Sequence, residues 1–251
     1  QEILKDQQMV CILSRLPEFY YEVSNEKLGY LVGSILSDGY WKVVQGKSGK
    51  PRRGVVVFTQ KDEESKSEFI RTVSSYFEEI FGYSFSDREK ISESQIRGRK
   101  IIGMAKDYRC SRLYPALVFE KIYQHLDLWC LILGNSTSLA FLAGLIDGDG
   151  TISGNRIQIY VSDEKVLRAI VITCLKLGIL PQVTRNRGIY NVQIVEKVDE
   201  ILAKCKRVRG RIRRRIIGTK FFAARQIFKD IENKVNWKGR IKPYIKKNLL
   251  I

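Results

Sequence analysis

The nine residues LAGLIDGDG at 142–150 have a weaker twin, LVGSILSDG, at 31–39, and no other feature limits the fold so tightly. Aligning the glycines pairs Gly33 with Gly144, Ile35 with Ile146, Asp38 with Asp149 and Gly39 with Gly150. Each copy is entered from polar Ser or Asn residues suited to an N-cap, runs through apolar and small residues, and stops at Asp-Gly. A repeat with a period near half of a 251-residue chain predicts two related units that share a core.

The likeness continues downstream. Each Asp-Gly leads into a β-branched alternating segment, RGVVVFT or NRIQIYV, and then into an amphipathic helix closing on Gly82 or Gly178. Strand-like GRKIIGMAKDY and GIYNVQIV follow, and then helices at YPALVFEKIYQHL and KVDEILAKCK. An α+β fold of two αββαββα halves is expected, residues 1–134 and 135–251, with motif helices at about 26–39 and 137–150. The polar GNSTS segment at 134–138 marks the boundary. The first half carries an extra basic stretch, VVQGKSGKPRRG, that reads as a long hairpin loop.

The charge at the end of each motif is on the wrong side. A helix C-terminus carries partial negative charge, so an Asp there typically costs about 0.3–1 kcal/mol. Glycine inside a helix costs roughly 1 kcal/mol against alanine. Both become sensible if the helices pack face to face through Gly33, Ala143 and Gly144. A twofold relation between the halves then brings Asp38 and Asp149 together. Two carboxylates and two helix C-termini form a sink for a hard divalent cation; few protein ligands suit Mg²⁺, which keeps waters and accepts phosphate oxygens.

The formal charge of +17 directs that chemistry to a polyanion, with nucleic acid ahead of a membrane surface. No stretch approaches the roughly 18 apolar residues of a spanning helix. Five scattered cysteines without a CxxC pair predict neither disulfides nor zinc, and a reducing, intracellular setting. His125, the only histidine, argues against imidazole-based chemistry. DGDGTI is not a calcium loop, because an EF-hand counted from Asp147 needs Gly and Glu where Ile152 and Gln158 stand. Tyr20, Tyr21, Tyr30, Tyr40 and Trp41 read as packing residues. Basic and amide side chains flanking the strands are the candidate nucleic-acid contacts: Lys42, Gln45, Lys47, Arg52, Arg53, Arg97 and Arg99 in the first half, and Arg156, Gln158, Arg185, Arg187, Gln193, Arg213 and Arg215 in the second.

LAGLIDGDG, with Gly148 as its one departure, resembles the signature of LAGLIDADG homing endonucleases, and LVGSILSDG resembles the degenerate first copy of the single-chain, two-motif branch. The likeness extends through the duplicated layout from about residue 27 to 235. It implies saddle-shaped antiparallel sheets on double-stranded DNA, a monomer, and Mg²⁺-dependent cleavage of both strands of a long asymmetric target with short 3′ overhangs. Mn²⁺ or Ca²⁺ would substitute in binding. It further implies Asp38 and Asp149 as catalytic metal ligands, assisted by the Ser37 and Gly148 carbonyls, and Asp147 as structural. FTQKDE resembles the family's Gln-Lys pair beside the scissile phosphates, giving Gln60 and Lys61 as catalytic residues. The second half offers Ser162 and Asp163 at that place, with Arg213, Arg214 or Arg215 as candidates for the missing cation. The alternatives are a nickase, or a non-cleaving protein on the same scaffold: an RNA maturase acting on intron RNA, or a DNA-binding regulator. Intron or intein mobility is the expected setting.

Overall fold

The computed structural model describes residues 23–96 and 99–208, and all of these fall in one compact unit, Ser14–Arg213. In chain order the first half holds α1 (Glu26–Asp38), β1 (Gly39–Gln45), β2 (Pro51–Gln60), α2 (Ser67–Phe81), β3 (Ser86–Ile96), β4 (Arg99–Cys110), α3 (Leu113–Gln124) and the short α4 (Leu126–Leu131). The second holds α5 (Asn135–Asp149), β5 (Gly150–Ser153), β6 (Arg156–Val161), α6 (Glu164–Lys176), β7 (Gln182–Asn186), β8 (Ile189–Ile194) and α7 (Val198–Leu202). The sheets are antiparallel with one strand order, β1-β2-β4-β3 and β5-β6-β8-β7. The α+β class and the duplicated αββαββα order follow the sequence pattern.

Helices α1 and α5 form the centre. Asn25 caps α1 by accepting from Leu28 N at 3.0 Å, while its own amide donates to Thr137 Oγ1 at 3.0 Å on the opposing helix. A Cβ on Gly33 would lie 2.2 Å from Phe141 O and 2.9 Å from Leu145 N; one on Gly144 would lie 2.2 Å from Tyr30 O and 2.9 Å from Ser34 N. The contacts are reciprocal, residue for residue, which is the mark of a twofold relation between the helices. Their backbones touch where any side chain would hold them apart. Ala143 is fully buried beside this contact. Helix α5 is buried from Thr137 to Asp147 except at half-buried Leu139, because α1, β6, α6 and α7 pack around it; its largely apolar character is therefore expected.

Around this pair each sheet lays one face on helices. In α2, Phe69, Ile70, Val73, Phe77 and Phe81 recur at helical spacing and are buried, and Gly82 ends the helix at φ 71°. Asp163 caps α6 through Lys165 N (2.7 Å) and Val166 N (3.3 Å).

The structure corrects several expectations. Most of VVQGKSGKPRRG is strand, since β1 runs to Gln45 and β2 begins at Pro51, leaving a five-residue turn at 46–50. The charged SDREKISESQI and the short QVTRN form β3 and β7, which their composition concealed. Trp41 packs on Phe119 and Tyr123, and Tyr30 is buried, but Tyr40 is 48% exposed on the open sheet face and is not a packing residue. Tyr20, Tyr21, Arg97, Arg213, Arg214 and Arg215 lie outside the described residues.

Candidate functional site

Asp38 and Asp149 are the last residues of α1 and α5, each followed by a capping glycine, Gly39 or Gly150. Crossing at the glycines brings these two ends together. A Cβ on Gly148 would lie 1.9 Å from Ser37 Oγ and 2.6 Å from Asp38 Oδ2. Ser37 and Gly148 occupy equivalent places in the two motifs and meet each other, so there is room for only one side chain. This accounts for the glycine at 148.

The two carboxylates feel each other. Burial, and then the charge of Asp149, push Asp38 up to about 6 from its ordinary 3.8; Lys66, Gln60 and Arg207 pull the other way. Asp149 is also raised, through desolvation, against the pull of Arg207 and Lys66. Asp38 Oδ2 is buried with no hydrogen-bond partner. An orphaned carboxylate oxygen beside a second carboxylate fits a hard divalent cation that keeps most of its waters. No cluster of three or more His, Cys, Asp or Glu suited to a metal occurs among the described residues.

Two basic residues that sequence reasoning overlooked serve these acids. Gln60, 3% exposed at the end of β2, lies close enough to Asp38 to favour its charged form, and accepts from Lys66 Nζ at 2.7 Å. Lys66 returns to the site through a 3-10 turn, Glu64–Lys66, that precedes α2. The expected lysine, Lys61, points elsewhere: its ammonium lies in solvent, 3.9 Å from Glu63. The second cation, Arg207, lies across the C-terminus of α5. Its Nη2 donates to the carbonyls of Ile146 (3.0 Å), Gly148 (2.7 Å) and Gly150 (3.0 Å), and its Nε donates to Asp147 O. This offsets the negative pole that made the sequence look misdesigned.

Asp147 is fully buried and holds the segment carrying Arg207. Its carboxylate accepts from the backbone N–H groups of Lys206, Arg207 (2.9 Å) and Val208 (2.8 Å), and from Tyr30 OH (2.6 Å) on α1. Replacing Asp147 with Ala strands four donors, and stability measured by urea unfolding is expected to fall by about 3 kcal/mol or more. An Asp147→Ala protein as stable as wild type would contradict this role.

The register places the halves in correspondence more sharply than the sequence did. Gly39 faces Phe58 as Gly150 faces Ile159, so the counterpart of Gln60 is Val161, one residue before the expected Ser162. An apolar side chain therefore stands where the first half has its amide. Asp163 is engaged by Tyr123 OH and the start of α6. Beside Asp149 opens a cleft of about 510 Å³ lined by Ser37, Tyr123, Val161 and Asp163 among others.

The candidate contact residues divide. Strand pairing puts Lys42 and Arg53 on the face of the first sheet opposite buried Val56 and Phe58, with Gln45 and Lys47 at the hairpin end and Arg52 exposed beside it. Arg99 begins β4. In the second sheet Arg156, Gln158 and Gln193 share the open face, and Arg156 Nη1 donates to Gln193 Oε1 at 2.7 Å. Arg185 does not join them. It pairs with Tyr190 on the helix side, its guanidinium 5.0 Å from the ring centroid, and Arg187 sits in the β7–β8 turn at φ 49°. No helix among the described residues is long and apolar enough to cross a membrane.

Comparison with known proteins bears on the fold. Over 186 residues the chain is 28% identical to the probable phosphoenolpyruvate synthase of Methanocaldococcus jannaschii; the match takes in 72% of this chain but spans only 14% of that protein. Among solved structures, mesophilic variants of the homing endonuclease I-DmoI superpose with a TM-score of 0.52 at 17% identity, covering 73% of this chain and 97% of theirs. I-DmoI in complex with DNA and Ca gives 0.52 at 18% identity, covering 80% and 97%. Residues 136–223, which include most of the second motif helix, match a LAGLIDADG-like domain, and the two-sheet α+β fold around it is that of I-DmoI.

Proposed function

We propose that this chain is a site-specific DNA endonuclease that hydrolyses phosphodiester bonds with a divalent cation, Mg²⁺ first among them, held by Asp38 and Asp149. The observation that carries the reading is the meeting of these two acids at the ends of glycine-packed helices, with Asp38 Oδ2 buried and unpartnered. The cation, when bound, supplies Lewis-acid charge at the scissile phosphate. Gln60 holds the Asp38 carboxylate in place, and Lys66 holds Gln60 while adding positive charge near the phosphate. Arg207 fixes the end of α5, so that Asp149 is presented on a closed helix terminus rather than a frayed one. One chain carries both acids, so a monomer suffices. The strongly basic composition, and the DNA complexes formed by I-DmoI, support duplex DNA as the partner. Mobility of an intron or intein in a reducing cellular setting is the biological role we assign to it.

Val161 in place of a second Gln60 favours unequal treatment of the two strands. Incubation with Mg²⁺ and a plasmid library of random targets is expected to give one recurrent cut, with nicked circles preceding linear product. Lys66→Met is expected to slow cutting by roughly tenfold or more, the scale of losing one charge-stabilising group, with Lys61→Met much nearer wild type. Equal effects from the two lysines would remove Lys66 from the site. Tight binding of structured intron RNA in preference to duplex DNA, without any cut, would overturn the endonuclease reading in favour of a maturase.

A further inference from the structure

The open faces of the two sheets are built from different chemistry at equivalent positions. In the second sheet Ile157, Ile159, Val192 and Ile194 are buried toward the helices, and the alternate residues face outward. Thr151 stands opposite Gln158, Gln158 opposite Gln193, and Gln193 opposite Gln182, forming one row across all four strands. The neighbouring row is Tyr160, Asn191 and Thr184. Neither row contains a charge. At about 4.8 Å between strands, a four-strand row spans about 15 Å, close to the roughly 12 Å width of a DNA major groove.

The amides are already oriented. A guanidinium only donates, so the bond from Arg156 Nη1 holds Gln193 Oε1 toward it and leaves the Gln193 NH₂ free. Tyr160 OH fixes Gln158 in the same sense, donating to its Oε1 at 3.0 Å. Each carbonyl oxygen keeps a second lone pair, so each amide offers a donor beside an acceptor. Adenine presents the complement, N7 accepting and N6 donating. By the register of Gly39 with Phe58, the equivalent row in the first sheet is Tyr40, Val57, Arg109 and Ser86. Val57 is buried, and Arg109 is an exposed cation that can only donate, which suits the paired acceptors O6 and N7 of guanine.

We propose that the two halves read unlike bases: Gln158 and Gln193 select adenine in one half-site, and Arg109 selects guanine at the corresponding place in the other. This rests on the endonuclease reading for its partner, duplex DNA, and adds the base class and the residues that choose it.

The test is selection of bound sequences from a fully randomised duplex library by the full chain, with Ca²⁺ present to limit cutting. Wild type is expected to enrich adenine in one half-site and guanine in the other. Gln193→Arg or Gln158→Arg should shift one adenine position each to guanine, changing relative enrichment there by roughly tenfold or more, and Gln193→Ala should flatten the preference. Arg109→Gln should alter only the opposite half-site. If the library is enriched but the glutamine variants return the wild-type profile, the proposal is overturned while the endonuclease reading stands. If no duplex sequence is enriched at all, the endonuclease reading falls with it.

Discussion

Asp38→Asn is expected to abolish the proposed cleavage of both strands, to leave DNA binding intact, and to make the cation-free protein more stable at neutral pH. The first two outcomes follow from removing one of the two carboxylates proposed to hold the cation while keeping the side chain's shape. The third follows from linkage. Burial and the neighbouring Asp149 raise Asp38 to about 6, above its ordinary 3.8. An acid whose folded value is raised binds more protons folded than unfolded between those two values. Its stability contribution is full below about 4 and is lost as the pH rises through 6. A shift of that size corresponds to at most about 3 kcal/mol at pH 7. The asparagine variant does not incur that cost, so its melting temperature without divalent ions should exceed wild type at pH 7–8 and converge with it near pH 4. Adding Mg²⁺ should stabilise wild type and not the variant. Calorimetry across pH with and without Mg²⁺, beside a plasmid assay, measures all of these. An Asp38→Asn protein that still linearises plasmid would dispose of the shared-acid site, and one less stable than wild type at pH 8 would dispose of the electrostatic account.

Gly144→Ala is expected to be as damaging to the fold as Asp38→Asn is to activity. The added methyl would sit 2.2 Å from Tyr30 O and 2.9 Å from Ser34 N, both backbone atoms of a helix packed on its other sides. Neither can yield without separating α1 from α5. Overpacking usually costs 1–3 kcal/mol, and a clash with rigid backbone lies at or beyond the top of that range. The gain in helix propensity, about 1 kcal/mol, does not offset it. Against a total stability of roughly 5–15 kcal/mol, the variant should unfold at far lower urea or collect in the insoluble fraction. Gly82→Ala is the matched control. Gly82 has a positive φ of 71° but open space, with nothing within 4 Å, where the methyl would go, so only the backbone cost of about 1 kcal/mol is expected there. Equal losses at the two sites would mean that the helix contact is looser than its geometry implies.

The centre of the molecule was legible because its constraints are local and repeated. Small residues in an apolar helix, an acid at the disfavoured pole and a second copy at half-chain distance leave few arrangements, and α1 and α5 adopt the expected one. Legibility failed where a residue acts across the fold. Arg207 lies about 60 residues beyond the carbonyls it caps, in a charge run that gives no sign of its target. Lys66 reaches Gln60 only because a 3-10 turn redirects the chain, and so the adjacent Lys61 looked the better partner. The one-residue error at Val161 has a similar origin. The polar residues alone match Gln60 with Ser162, whereas strand register is set by the glycines that begin β1 and β5. The charge of Arg185 suggests a place on the open face, but strand alternation sends it to the face with Tyr190. Strand β3 escaped notice because its polar, charged residues hide the period of two.

The meeting of Ser37 with Gly148 sets a rule of pairing. A duplicate of the first half mated to itself would press serine on serine where even a bare Cβ added at Gly148 would come within 1.9 Å of the Ser37 hydroxyl. A duplicate of the second would leave a gap between two glycines. Each half thus prefers its unlike sibling to its own copy, and an engineer who wished to make a symmetric protein from either one would have to reshape this point of contact first.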